Sequence, residues 1–288
     1  MSDPAFSSSA SASLARAFTP TPRMPVLFVG HGSPMNAIER NAWHLTWRDL
    51  GQELLARMPR PQLILCISAH WLTPGGWRLT GMPRPRTIHD FGGFPRELFE
   101  QQYPAPGAPE AAKAIAGLLR DPQTGAPPAV DESEWGLDHG AWSVLGPMFP
   151  AADMPVVQLG MPYERPASEH FALGRQLAAL RDFGVLIVAS GNIVHNLRAL
   201  RPEAGINATY TWANAFDGRV AQAVQQEDWP SLTAFGQWGE IAQLAQPTHD
   251  HYLPLLYAAG TVQAGDPLRF FNTGFQMAGI SMRSMLWG

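Results

Sequence analysis

Pro25-Val26-Leu27-Phe28-Val29-Gly30-His31-Gly32-Ser33-Pro34 is an apolar run, bounded by proline and glycine, that stops at a histidine. A short run of this kind reads as a buried strand. His31 then sits at the strand's carboxyl end, where glycines on either side let the backbone turn sharply and a ligand come close. The same arrangement recurs at Leu63-Ile64-Leu65-Cys66-Ile67-Ser68-Ala69-His70 and at Val185-Leu186-Ile187-Val188-Ala189-Ser190-Gly191-Asn192-Ile193-Val194-His195. Between the first two runs, Trp43, Trp47, Leu50 and Leu54 fall at helical spacing; before the third, Leu173, Leu177 and Leu180 do the same. Strand, helix, strand predicts parallel strands in one sheet. Three histidines are then delivered to its carboxyl edge, where open α/β sheets bind ligands.

Working outward, further strands are expected at Trp77-Arg78-Leu79-Thr80, Pro155–Leu159 and Leu268–Thr273. Helices are expected within 108–120, through Leu145 and Phe149, and along Trp212, Phe216, Val220 and Val224. The stretch from Trp71 to Pro95 is dense in Gly, Pro and aromatic residues and reads as a functional loop. There are no repeats and no domain boundary. The expected fold is α/β, a single-domain layered sandwich over 24–288 with a central, mostly parallel or mixed sheet flanked by helices. A flexible Ser/Ala/Pro-rich extension is expected over 1–23.

A chain of 288 residues, 45% hydrophobic, can bury a sizeable core. The net charge of −4 provides no field for a polyanion, so nucleic acid is not an expected partner. No run is long and apolar enough to span a bilayer, and residues 1–23 lack the apolar core of a secretory signal. The single cysteine, Cys66, lies inside an apolar strand and reads as an inert buried thiol. These features fit a cytoplasmic protein. Oligomerisation is left open.

Of the nine histidines, His44 and His170 fall within expected helices and read as structural or surface residues. His31, His70 and His195 share equivalent strand-end positions, and imidazole suits borderline divalent metals. A further donor has to come from elsewhere. His251, beside Asp250 at the start of an apolar helix, is placed to project inward, whereas His249 points another way. The Gly30–Pro34 turn is neither a nucleophile elbow, which needs a central Ser, nor a phosphate cradle, which needs a following Lys.

With these residues assembled, the chain resembles the class III extradiol ring-cleaving dioxygenases, in the 4,5-DOPA-extradiol-dioxygenase-like branch related to the protocatechuate 4,5-dioxygenase catalytic subunit. The resemblance covers roughly 24–288. It rests on the ordered motifs Gly30–Pro34, Ser68-Ala69-His70-Trp71, His89-Asp90-Phe91-Gly92-Gly93-Phe94-Pro95, Gly136-Leu137-Asp138-His139-Gly140, Gly191–Asn196 and Asp250-His251-Tyr252-Leu253-Pro254.

The resemblance implies a small-molecule catechol and O2 as reactants and one divalent metal, with His31, His70 and His251 as ligands. His195 stands either as a fourth ligand or as the acid/base histidine, and His139, in a glycine-flanked loop, faces the substrate and assists proton transfer. Fe(II) is expected for the dioxygenase reaction. An all-histidine set also suits Zn(II), since ferrous extradiol sites commonly use two His and one carboxylate. Two other readings stay open on the residues alone: a zinc hydrolase using the same site, and a non-catalytic metal-binding interaction protein.

Overall fold

The computed structural model describes residues 14–288. Its strands, in chain order, are β1 Val26–Gly30, β2 Leu63–Leu72, β3 Arg78–Thr80, β4 Arg86–Thr87, β5 Ala129–Asp131 and β6 Gly136–Leu137. They continue with β7 Val156–Met161, β8 Val185–Gly191, β9 Leu268–Phe271, β10 Phe275–Gln276, β11 Ile280–Ser281 and β12 Ser284–Trp287. Eight of them form one mixed sheet in the order β5-β3-β7-β2-β8-β1-β12-β9. Its centre is parallel: β1 pairs with β8, β8 with β2, and β2 with β7. The expected strand–helix–strand opening is present, with β8 inserted between β1 and β2. The fold is the expected layered α/β sandwich.

The central strands are apolar runs because both faces are covered. Val26 and Phe28 of β1, with Leu63, Leu65 and Ile67 of β2, face one core, packed by the helices Pro109–Leu118, Ala167–Leu177, Thr211–Gln225 and Leu253–Gly260. The alternate residues Leu27, Val29, Ile64 and Cys66 face the other core, packed by the helices Ala42–Arg57 and His139–Met148. Cys66 is a free, buried thiol whose pKa is pushed well up by burial and then by the charge of Asp138. It is not a nucleophile.

Two features depart from the sequence expectations. Residues 14–23 were expected to belong to a flexible extension, yet Leu14 and Phe18 are buried in the core beside Val26 and Phe28. Residues 1–13 of that expected extension lie outside the described residues. The second departure is β12, for which no strand was expected. It runs antiparallel to β1, with Leu27 opposite Leu286, and closes that side of the parallel centre. Among the described residues, no helix is long and apolar enough to cross a membrane.

Candidate metal centre

The register of the parallel strands brings distant residues to one edge. Gly30 is opposite Gly191 and Ser68 opposite Ser190, so His31, His70 and the segment after β8 emerge together. The β2–β7 register shifts between Ile67 and Leu72, a bulge-like irregularity on the stretch that carries His70. The fourth contributor comes from the far end of the chain. Asn192 N–H donates to the His251 carbonyl at 2.8 Å. Gly191 permits this approach, because a Cβ there would collide with that same carbonyl oxygen. At Gly140 a Cβ would strike Ser68 Oγ and the His70 ring, so the helix His139–Met148 reaches the site only with glycine at that position.

The result is a near-equilateral triangle of imidazoles. The ring centroids of His31 and His70 are 5.2 Å apart, those of His31 and His251 5.2 Å, and those of His70 and His251 5.0 Å. One ring nitrogen from each lies within 4.8 Å of the other two. His31 is 1% exposed and forms the floor, whereas the His70 side chain keeps 18% exposure and marks the open side.

Hydrogen bonds set the tautomers. Ser190 Oγ donates to the Gly140 carbonyl at 2.5 Å, so at 3.0 Å it can only accept from His31 Nδ1. His31 Nε2 therefore carries a lone pair. His251 Nδ1 donates to Asp250 Oδ2 at 2.7 Å, which likewise frees its Nε2. His70 Nδ1 lies 3.3 Å from Asp90 Oδ2, within ion-pair range. The Nε2 atoms of His31 and His70 face each other at 3.3 Å, close enough for a proton on His70 Nε2 to be shared with the His31 lone pair or for one cation to take both nitrogens. Donors bound to an ion at about 2.1 Å stand about 3.0–3.5 Å apart, so the residues fit a divalent metal.

Electrostatics agree. Burial first, and then the facing histidines, lower the pKa of His31 and of His70 well below the ordinary 6.5, which keeps both neutral and competent to ligate. Burial works to raise the Asp250 carboxyl, but the hydrogen bond and charge of His251 hold it well below the usual carboxylate range.

His195 is separate from the close trio. Its ring stacks on His251 at 3.5 Å and 7°, and its backbone N–H donates to the Ala245 carbonyl at 2.8 Å. Burial and then His251 lower its pKa to about 2, against the pull of Asp250. His139 is not in a loop. It opens the helix His139–Met148, whose N-cap Asp138 accepts from Ala141 N–H at 3.2 Å. Asp138 is buried but satisfied by Ser68 Oγ at 2.6 Å and by Gln158 Nε2. The His139 ring centroid is 3.8 Å from that of His70.

The remaining histidines have structural settings. His170 is buried, with Nδ1 2.6 Å from the Tyr257 hydroxyl and Nε2 3.2 Å from the Arg165 carbonyl. His44 Nδ1 lies 3.0 Å from the Asn36 carbonyl, and His249 stacks on Tyr163.

Sequence reasoning missed one residue at the centre. Asp90 Oδ1 accepts the His139 backbone N–H at 2.9 Å while Oδ2 faces His70. Burial raises the Asp90 carboxyl, but the ring and amide of His139 outweigh it and hold the pKa below its ordinary value. The sequence places Asp90 in an aromatic, glycine-rich loop and in one of the motifs that carry the family resemblance, without a role of its own.

The lowered histidine values make a prediction for the metal-free protein. His31, His70 and His195 have folded-state pKa values below 6.5, as does His170, lowered to about 4 chiefly by burial. Below pH 6.5 the unfolded chain therefore binds more protons than the folded one. Stability is fully present above that pH and is lost as pH falls, by up to about 1.4 kcal/mol per pH unit for each histidine in its window. The melting temperature of the metal-free protein is expected to drop between pH 7 and pH 5. A flat profile over that range would contradict the burial of these rings.

Comparison with known proteins returns one family. The model described as "Catalytic LigB subunit of aromatic ring-opening dioxygenase" matches residues 21–284. An Escherichia coli K12 protein named 4,5-DOPA dioxygenase extradiol is 45% identical over 270 residues, covering 92% of this chain and 95% of its own. A Beta vulgaris protein of the same name is 35% identical over 233 residues, covering 81% and 85%. A solved structure of an uncharacterised Escherichia coli K12 protein aligns with a TM-score of 0.77 at 39% identity, covering 92% of this chain and 100% of that one.

Proposed function

The chain belongs to the family of the catalytic LigB subunit of aromatic ring-opening dioxygenases, and from that premise we propose that it opens the ring of a catechol bearing an amino-acid or other acidic side chain, with His31, His70 and His251 holding one Fe(II). The ring-cleaving dioxygenase activity and a metal ion follow from the family. The ligand set, the metal and the substrate are this proposal's content. The observation that carries the ligand set is the convergence of one ring nitrogen each from His31, His70 and His251, with the Nε2 atoms of His31 and His251 freed by the hydrogen bonds of their Nδ1 atoms to Ser190 and Asp250. The relatives' name supports a DOPA-like substrate.

When bound, ferrous iron would supply open positions and the electron exchange that lets a singlet catechol react with triplet O2. The protein's own groups do the rest. Three neutral imidazoles leave the ion's charge uncompensated, and Asp250, hydrogen-bonded to His251, supplies a negative charge one residue removed. His195, stacked on His251 beside the ligand trio, enters as the base that receives a catechol hydroxyl proton. It later returns that proton as the ring opens and both oxygen atoms enter the product. His139, against His70 at the open side, faces the substrate and assists the transfer. Its one thiol, buried and free, is compatible with the reducing cytoplasm, the compartment this reading assigns to it.

The test is anaerobic reconstitution of metal-free protein with Fe(II), and with Zn(II) in parallel, followed by exposure to catechols in air. Oxygen uptake matching catechol consumption, with a new yellow product, is expected only with iron, and DOPA should show a lower KM than catechol without a side chain. Absence of oxygen uptake with either metal would defeat the proposal. Equal KM values would remove the assignment of an acidic side chain.

A further inference from the structure

One carboxylate reaches both halves of the site. Asp90 Oδ2 lies 3.3 Å from His70 Nδ1. Asp90 Oδ1 accepts the His139 backbone N–H at 2.9 Å and stands 3.0 Å from the Nδ1 of the same ring, inside ion-pair range but out of hydrogen-bond alignment. The His70 and His139 rings are in contact, 3.8 Å between centroids at 49°, and Asp90 spans that contact. The segment carrying it is pinned. Ile88 N–H donates to the Leu137 carbonyl at 2.8 Å, Trp142 Nε1 donates to the Ile88 carbonyl at 2.8 Å, and Phe91 packs edge-on against the His139 ring at 5.4 Å. The carboxylate is 18% exposed, so its charge is only partly screened by water.

We propose that Asp90 is the positioning residue of the metal centre. With a metal bound it would take the His70 proton on Nδ1 so that Nε2 is free for the ion, it supplies outside the ligands a negative charge that three neutral imidazoles lack, and through the His139 amide it sets the substrate-side imidazole against the metal-side one. The inference rests on the ligand set proposed above and extends it. Asp90 and Asp250 together offer two negative charges against a divalent ion. A carboxylate behind a ligating imidazole raises the basicity of that ligand and fixes its ring, and losing such a partner costs about 10–100-fold in metal affinity.

A competing arrangement is present in the same atoms. His70, Asp90 and His139 also place one donor atom each within 4.8 Å of one another, a two-His, one-carboxylate set. Direct ligation and positioning differ in what removing the carboxylate does. A lost ligand abolishes tight binding at that ion's site, whereas a lost positioning residue weakens binding and leaves the stoichiometry alone.

The experiment measures Zn(II) affinity and stoichiometry by chelator competition for the parent and for Asp90→Asn, Asp90→Ala, Asp90→Glu and His31→Ala, together with metal-free melting temperatures and, for the Fe(II)-loaded forms, kcat and KM for a catechol. The proposal expects one ion per chain in the parent and in Asp90→Asn and Asp90→Ala, with affinity lowered about 10–100-fold in both variants. It expects part of that affinity back in Asp90→Glu, and a fall in kcat larger than any rise in KM. The affinity loss should appear with the metal-free melting temperature of Asp90→Asn unchanged, which a purely structural part would not produce. Parent-like affinity in a folded Asp90→Asn would overturn it. Loss of a whole ion in Asp90→Ala would also overturn it, by making Asp90 a ligand. A His31→Ala protein that retains its ion would overturn the underlying ligand set, and that result is read independently of the Asp90 variants.

Discussion

Replacing His31 by alanine is expected to leave a folded protein that no longer holds a metal ion and no longer turns over catechol. His31 is the floor of the imidazole triangle, 1% exposed, and its Nδ1 is committed to Ser190. No other side chain in the close trio can take its place, because His70 and His251 already turn one nitrogen each to the same point. Folding should survive. Val26 to Gly30 pair with β8 on one side, and Val26 to Phe28 with β12 on the other, through backbone bonds that the substitution leaves untouched. The alanine also removes a ring whose burial lowers its pKa, so the metal-free variant should lose less stability than the parent between pH 7 and pH 5. Metal content after dialysis is the deciding measurement. One tightly bound ion per chain in the variant would remove His31 from the ligands.

His195→Gln is expected to separate metal from chemistry: the ion stays and turnover falls by about 10²-fold or more. His195 lies flat on His251, 3.5 Å between ring centroids, and is not one of the three rings whose nitrogens converge. Glutamine keeps a polar side chain of similar reach but cannot carry a proton. The backbone at 195 is held by the Ala245 carbonyl and by a bridge to Ile280, so the segment should not move. Near-normal turnover would reject the acid/base role. Loss of the ion would instead make His195 a fourth ligand, the other role the family resemblance allows.

Much of this was legible because the signals are local. A continuous apolar run ending at Gly-His-Gly announces a buried strand and a turn, and a strand has one carboxyl end wherever it pairs. The helix Ala42–Arg57 was legible for the same reason, its buried Trp43, Trp47, Leu50 and Leu54 being the residues at helical spacing. Other elements were not. Ser284–Trp287 has little pattern of its own over four residues and is a strand because β1 offers it an edge. Leu14 and Phe18, in a stretch that reads as flexible, find an apolar surface made by residues far along the chain.

The sequence by itself determined that four histidines, His31, His70, His195 and His251, lie at element ends suited to metal or proton chemistry. Only the tertiary structure decided how their rings are arranged. The Gly30–Gly191 register, the irregularity in β2 and the close approach allowed at Gly191 bring three rings to one point and leave His195 stacked behind His251. The same is true of Asp90. An aspartate in a loop carries no local mark of its partners, because which imidazoles a carboxylate meets depends on distances between residues 20 and 49 positions away in the chain, and those distances exist only once the sheet has closed.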